Sequence, residues 1–498
     1  MENKNLSDFE RYLNARPLDV HTWSDHPEVN VFVNEIYSHL SSIKGNQRIN
    51  KKLLKVVLLD LYVAWCTDPE LMIMFSRDNN AYKAKSRYNE IHISKKIRDI
   101  VDELVNENII EEKRGFNDKI RGIGFKSRLW ASPSLKEKFK SARFHQFQFC
   151  DYEGRESIVL RDKNKEAVED YQDTPITNFS RSLLSDYNAL LANTHIDIFD
   201  LNKPVIEIGS GSKTMKLGIT QQDKFVRRIF NNSKWNEGGR FYGGWWQRCP
   251  KTYREKIVFD GIATAEIDFS GIHIVILYAQ EGINYWAQVN EDPYSIHGIN
   301  DIDPDIDLRA AAKRLLLTAI NAETPEKAFG AFRQQAESGS PEKRLTNEQL
   351  NSMLNQLKRK HEPIAHKLAS GAGIELMYVD SQITERLIER FTLHFQCPIL
   401  TIHDSYIVPF GWDRILHREM QVAFEAATGV SQPVVEHTTE YYDVLEDELD
   451  PRLATSMTDY PDWTPSKRHL NDYESFKVYK NKPNRERWVP DWTMVYWK

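Results

Sequence analysis

Apolar positions in the first third of the chain change texture twice. RINKKLLKVVLLDLYVAW (48–65) is apolar on most sides and predicts a buried helix. Further on, Ile97, Ile100, Val101, Leu104 and Val105 recur at i, i+3, i+4, i+7 and i+8. That spacing predicts an amphipathic helix, with Ser94 as its N-cap. IIEEK (109–113) and KSRLWA (126–131) read as strands on either side of the glycine-punctuated RGFNDKIRGIGF. After the DTP break near 173–175, ITNFSRSLLSDYNALLANTH predicts a further helix. In the second half, EIDFS (266–270) reads as the end of a buried strand and GIHIVILYA as the helix that leaves it. CPILTIHDSYIVPF (397–410) holds two apolar runs around a polar tip, which predicts a hairpin. The run from Arg309 to Asn321 has no breaker and predicts a helix.

These elements divide the chain into five expected segments: an arm (1–47), a helix-and-strand domain (48–140), a helical connector with a thumb-like role (141–235), a large core (236–425) and a C-terminal extension (426–498). The order helix, strand, glycine-rich turn, strand over 48–140 resembles winged-helix domains. The resemblance implies nucleic-acid contact by the basic residues of the helix start, Lys95, Lys96 and Arg98, and of the wing, Lys113, Arg114, Lys119, Arg121, Lys126 and Arg128. The competing reading is a protein-docking domain with a solvated basic face. The extension, with DYPDWTPSKRHLNDYESF and PDWTMVYWK, has no clean period and reads as a tail, either wrapped on the body or partly disordered.

Composition narrows the class. At 498 residues the chain exceeds one core, and ~150 residues per domain suggests about three. Hydrophobic residues at 41% and charged residues at 28% fit a soluble globular chain. A net charge of −6 confines any nucleic-acid binding to local basic faces. Cys66, Cys150, Cys249 and Cys397 form no CxxC pair, which argues against a zinc ribbon and fits a reducing cytoplasm. No secretory leader or membrane-spanning run is expected.

The candidate chemistry lies in the second half. Asp268 closes one strand and Asp404 tops the hairpin, so two carboxylates can meet at one sheet. Such a pair can hold two Mg²⁺ ions ~3.5–4 Å apart, with Mn²⁺ as a substitute. The main-chain carbonyl of Phe269 is a natural extra ligand. Between the two aspartates, Arg309 and Lys313 are spaced i, i+4, so both cations project from one helical face, and Asn321 follows further along. That arrangement suits a triphosphate.

The order of these stretches resembles the superfamily of family A DNA polymerases and phage-type single-subunit RNA polymerases. DFSGIHIVILYA is similar to motif A, RAAAKRLLLTAIN to motif B and HDS to motif C. DSQITERLIERFTLHFQCPILTIHDS looks like the helix leading into motif C, and GGRFYGGWWQRCPKTYREKI like the segment upstream of motif A. The resemblance covers about residues 236–425. It implies an α+β, multidomain chain with an N-terminal winged helix and a palm built on an antiparallel sheet, with reduced helical fingers and thumb. It implies a nucleotidyltransferase in which Asp268 and Asp404 hold the metals. Arg309 and Lys313 would bind the nucleotide, with Lys313 also the acid for the leaving pyrophosphate. His273 and Asn321 would lie near the sugar and base. Arg240, Gln247, Arg254, Gln382 and His403 would face the primer–template or brace the centre, and Ser405 would shape the turn.

Two departures leave sugar selection open: Asn321 stands where the family has Tyr, and His273 where the DNA enzymes have Glu. The product, RNA or DNA, stays open with a tilt to RNA, and so does the oligomeric state. The implied partners are a nucleic-acid template, DNA by preference, and nucleoside triphosphates, with no membrane. A non-catalytic DNA-binding initiator or regulator and a two-metal nuclease are the alternatives.

Overall fold

Two apolar cores divide the chain, one drawn from residues between 29 and 149 and the other from residues between 158 and 424. The computed structural model describes residues 12–78, 81–82, 85–118, 123–209, 214–299, 302–337, 339–431, 435–437 and 464–480. The architecture is mixed α+β, with several sheets and more than one domain. No described helix is long and apolar enough to cross a membrane.

The first core starts with β1 (Arg16–Pro17) and α1 (Pro27–Ser38), then α2 (Gln47–Thr67). Asn46 caps α2 by accepting from the Arg48 and Ile49 N–H groups at 2.9 and 3.3 Å. The dense apolar run buries this helix on nearly all sides, carrying Lys55 and Asp60 inside with it. Both charges are met: Lys55 donates to the Ser24 carbonyl at 2.8 Å, and Asp60 pairs with Arg16. β2 (Ile73–Phe75) and α3 (Ile97–Asn106) follow, then β3 (Ile110–Lys113), the hairpin β4 (Phe116–Asp118) and β5 (Ile123–Phe125), β6 (Ser127–Ala131) and α4 (Pro133–Lys140). The sheet order is β1-β2-β6-β3. Ser94 does not cap α3. Its carbonyl and hydroxyl accept from Ile97 and Lys96 N–H at 3.0 and 3.4 Å, which closes the turn before the helix.

Residues 141–235, expected to be helical, hold one long helix, α5 (Pro175–Asn193), among short strands. These are β7 (Ile158–Leu160), β8 (Ile196–Ile198), β9 (Val205–Ile208), β10 (Met215–Gly218) and β11 (Val226–Phe230). Apolar runs this short carry no period that separates strand from helix. The α5 break behaves as expected, with a Thr174–Thr177 capping box and Pro175 in the first turn.

β12 (Gly238–Gly243) pairs with β11, which also pairs with β7. β13 (Ile257–Phe259) and β14 (Ile262–Phe269) lead into α6 (Ile272–Gln280) through Gly271, at φ 65°. The helices α7 (Leu308–Asn321), α8 (Pro325–Gln335), α9 (Asn347–Lys360) and α10 (Gly373–Glu389) follow, and α10 runs on as a π-helical turn, Arg390–His394. β15 (Leu400–Ile402), β16 (Ser405–Pro409), α11 (Asp413–Thr428) and β17 (Val435–His437) complete the core. Its sheet runs β8-β13-β14-β16-β15, with β17 paired to the end of β14 and each pairing antiparallel.

Of the C-terminal extension, 464–480 is described and forms α12 (Lys467–Lys480), while PDWTMVYWK lies outside the described residues. Arg468 pairs with Asp197 on β8 at 2.7 Å, and Ser466 donates to the Leu201 carbonyl at 2.7 Å. His145 stacks on Tyr479, so α12 touches both cores.

Candidate functional site

The antiparallel register of β14 and β16 sets Asp268 opposite Ser405, and the Phe269 N–H donates to the Asp404 carbonyl at 3.3 Å. Opposed residues in such a ladder are ~4.5–5.5 Å apart at Cα, so Asp268 and the Asp404 turn are immediate neighbours. The electrostatics agree. Burial, then the charges of Asp404 and Glu266, push Asp268 up to about 7. Its Oδ1 is buried without a protein partner. His403, at the exposed tip of the hairpin, adopts φ 56°, and its ring lies 6.5 Å from that of Tyr242.

Beneath this pair lies a brace. Glu266, two residues before Asp268 and on the same face of β14, is 4% exposed. The Arg254 guanidinium forks onto it at 2.8 and 3.1 Å, and the Ser405 hydroxyl donates to it at 2.8 Å. The brace ties β14 to the hairpin.

A third carboxylate stands nearby. Asp380 on α10 is buried and accepts from Arg240 Nε at 2.6 Å, while its Oδ1 has no partner. Burial, with a further push from Asp404, takes it to about 6. Arg240 also reaches His273 Nε2 at 2.9 Å. Burial and the Arg240 charge lower His273 to about 4, so the imidazole is neutral and accepts from Arg240.

The cations come from α7. Lys313 Nζ and the Arg309 guanidinium lie 5.4 and 5.6 Å from the Tyr294 ring centroid. Arg309 is exposed and pairs with Asp292 at 2.6 Å. Lys313 is the cation that draws Asp268 downward. Burial and Asp404 raise the Tyr294 phenol to about 12, which places that ring between the acidic pair and the basic helix.

Other sequence candidates sit elsewhere. Asn321 is ~12 Å along α7 from Lys313. It donates to the Leu317 carbonyl at 2.8 Å and abuts Gly373, where a Cβ would come within 2.0 Å of its Oδ1. Gln247 is fully engaged inside the protein: Oε1 accepts from Gly243 N–H at 3.0 Å, and Nε2 donates to the Phe241 and Thr401 carbonyls at 3.1 and 3.0 Å. Gln382 is half-buried on α10, two residues beyond Asp380.

The N-terminal basic residues are interleaved with acids. Arg114 pairs with Asp102 and Glu112 at 2.8 and 2.9 Å. Lys96 bonds the Lys44 carbonyl, and Arg98 the Arg77 carbonyl at 3.1 Å. Lys113 lies 5.1 Å from the Tyr12 ring centroid, while Lys95 and Lys126 are exposed. Arg128 departs from the expected basic face: it is 4% exposed and donates to the Tyr12 and Lys126 carbonyls. Lys119 and Arg121 lie outside the described residues.

A separate cluster, His195, Asp197 and His469, is buried with its ligand atoms within 4.8 Å of one another. Both Asp197 oxygens already accept from Arg468 at 2.7 Å, and one also meets His469 Nδ1 at 2.5 Å. With a guanidinium supplying the positive charge, the cluster works as a clasp for α12.

Sequence reasoning missed Glu266, Tyr294 and Asp380. Asp380 left a signal, since it interrupts the buried stripe Leu376, Ile383 and Leu387 of α10. Tyr294 left none, because it lies in an aperiodic loop.

No protein-family model matches this chain, and no curated protein sequence matches it. Among solved structures, the chain is similar to the POL domain of Pol1 from M. smegmatis, solved in complex with DNA primer-template and dNTP. Identity is 14% and the TM-score 0.28, and the match covers 42% of this chain and 47% of that one, less than half of its length. At that level nothing about this chain follows from the match.

Proposed function

We propose that the chain is a template-directed nucleic-acid polymerase, with the β14–β16 sheet as its palm, the first core as a winged helix, and Asp268 and Asp404 as its metal-holding pair. The observation that carries this reading is the placement of Asp268, on β14, beside the Asp404 turn that joins β15 to β16, within electrostatic reach of Lys313. The donors fit Mg²⁺ or Mn²⁺: they are hard oxygen ligands, and Asp268 Oδ1 is buried with nothing to bond. Bound there, the metal pair would supply activation of a 3′-hydroxyl and neutralisation of the departing pyrophosphate.

The chain's own groups do the rest by position and charge. Asp268, Asp404 and the Phe269 carbonyl would hold the metals. Arg309 and Lys313 receive the triphosphate, with Lys313 as proton donor to the leaving group. Arg240, clamped by Asp380, orients His273 toward the sugar. Arg254 acts through Glu266, so its role is to hold the two acidic strands in register.

Primer extension with the full chain, comparing rNTPs with dNTPs in Mg²⁺ and in Mn²⁺, tests the proposal. Extension that disappears in Asp404→Asn is the expected result. Incorporation of neither nucleotide class in either metal removes the enzyme reading. It would favour the non-catalytic DNA-binding reading, to which the placement of Asn321 against Gly373 lends support.

A further inference from the structure

A cavity of about 770 Å³ opens between the first core and the β12-β11-β7 sheet. Its volume is typical of a ligand site. Most charges on its wall pair off: Arg16 with Asp60, Lys216 with Asp68 and Arg248 with Asp223. Arg155 is held by Asp151. Arg227, on the central strand β11, is different. Among the described residues no carboxylate lies within ion-pair distance of it. The charges it feels from further off are Arg155 and Arg161, of its own sign, and Asp19 and Asp223. Burial, then Arg155, lowers its pKa. A guanidinium kept half-buried beside a like charge is costly unless an anion joins it.

The strand register places Tyr242 of β12 directly opposite Arg227, so both side chains stand on one face and both line the cavity. The Tyr242 ring is also the neighbour of His403 at the tip of the acidic hairpin. The cavity therefore opens at the junction of the two cores, and Tyr242 on its wall is the residue that links it to the hairpin tip. A planar cation with fork geometry suits a phosphate. An adjoining aromatic ring offers a stacking platform for a base of any sequence. Asp19 on the same wall limits the site to one phosphate contact rather than a basic track.

We propose that this cavity binds the backbone of a single nucleic-acid strand, with Arg227 contacting one phosphate and Tyr242 stacking under the adjoining base as the strand passes the Asp268–Asp404 centre. The strand's role as template or product rests on the polymerase reading; the contact itself does not.

Fluorescence anisotropy of labelled oligothymidylate and oligouridylate against the full chain tests the site, and the two probes distinguish DNA from RNA strands. Arg227→Gln is expected to weaken binding about tenfold and to reduce the salt slope by about 0.7, the value for one single-strand phosphate. Its melting temperature should stay equal or rise, because a like-charge contact is relieved. Arg227→Lys should restore most of the affinity. Tyr242→Leu should weaken binding about tenfold with no change in salt slope. Wild-type affinity and salt dependence in Arg227→Gln overturn the proposal. So does a fall in binding matched by a fall in melting temperature in both variants, which would assign the residues to the fold. Failure of the polymerase reading looks different: no primer extension by the wild-type chain, with strand binding still dependent on Arg227. Normal extension with Arg227→Gln binding unchanged sinks the cavity and spares the polymerase.

Discussion

Asp268 is held in a state that its neighbours make costly. Its carboxyl is raised to about 7 in the fold and returns to about 3.8 when the chain unfolds. Between those values the folded protein binds more protons than the unfolded one, so stability falls as pH rises through that window. The penalty is absent below about 3.8 and complete above about 7. Asp268→Asn removes it. The variant is expected to be inactive in primer extension yet more stable than the parent at pH 8, on the order of 2 kcal/mol after allowing for solvent, with no gain at pH 4. Urea denaturation at the two pH values checks this, and an unstabilised variant at pH 8 would contradict it. A second expectation concerns the metal. If the acidic pair holds a divalent cation as proposed, that cation displaces the proton from Asp268, so Mn²⁺ affinity should rise between pH 6 and pH 8 and level off above. Titration calorimetry in two buffers of different ionisation enthalpy reads the released proton directly.

At the scale of elements, β14 and the β15–β16 hairpin stand or fall together through Arg254, Glu266 and Ser405. Arg254→Met takes the paired guanidinium away from the buried Glu266 carboxylate and is expected to cost about 3–5 kcal/mol. Adding Glu266→Leu should recover most of that loss, as measured by the urea midpoint. Recovery of stability without recovery of extension would show that the brace also sets the geometry of the aspartates. This part of the molecule was legible in the chain because Asp268 and Asp404 each stand at the end of an apolar run, where a carboxylate breaks a visible pattern. The α7 cations were legible from their i, i+4 spacing. Asp380 was legible only as a break in the apolar stripe of α10, since its partner Arg240 is 140 positions away and no local period reports such a pair. The strands between 141 and 235 were hidden by their length, and the burial of Arg128 was not visible because both faces of its five-residue strand are covered.

Across the whole molecule, α12 joins the second core to the first. Asp197 stays ionised despite burial because His469 and Arg468 hold its pKa down. A depressed carboxylate stabilises above its unfolded value and loses that contribution as pH falls through it, so the clasp should loosen in acid below about pH 4. Arg468→Ala is expected to cost about 3 kcal/mol at pH 7 and to speed hydrogen exchange in both α12 and β8. Protection unchanged in β8 would show that the helix is not clasped there.

The contact between Asn321 and Gly373 has a mechanical consequence. The Asn321 amide lies so close to Gly373 that a methyl group there would displace it. The end of α7 thereby sits directly against the start of α10, which puts the helix carrying Lys313 in contact with the helix carrying Asp380. On the polymerase reading, any closure around a nucleotide that keeps this contact moves the cationic and acidic walls together, as one jaw.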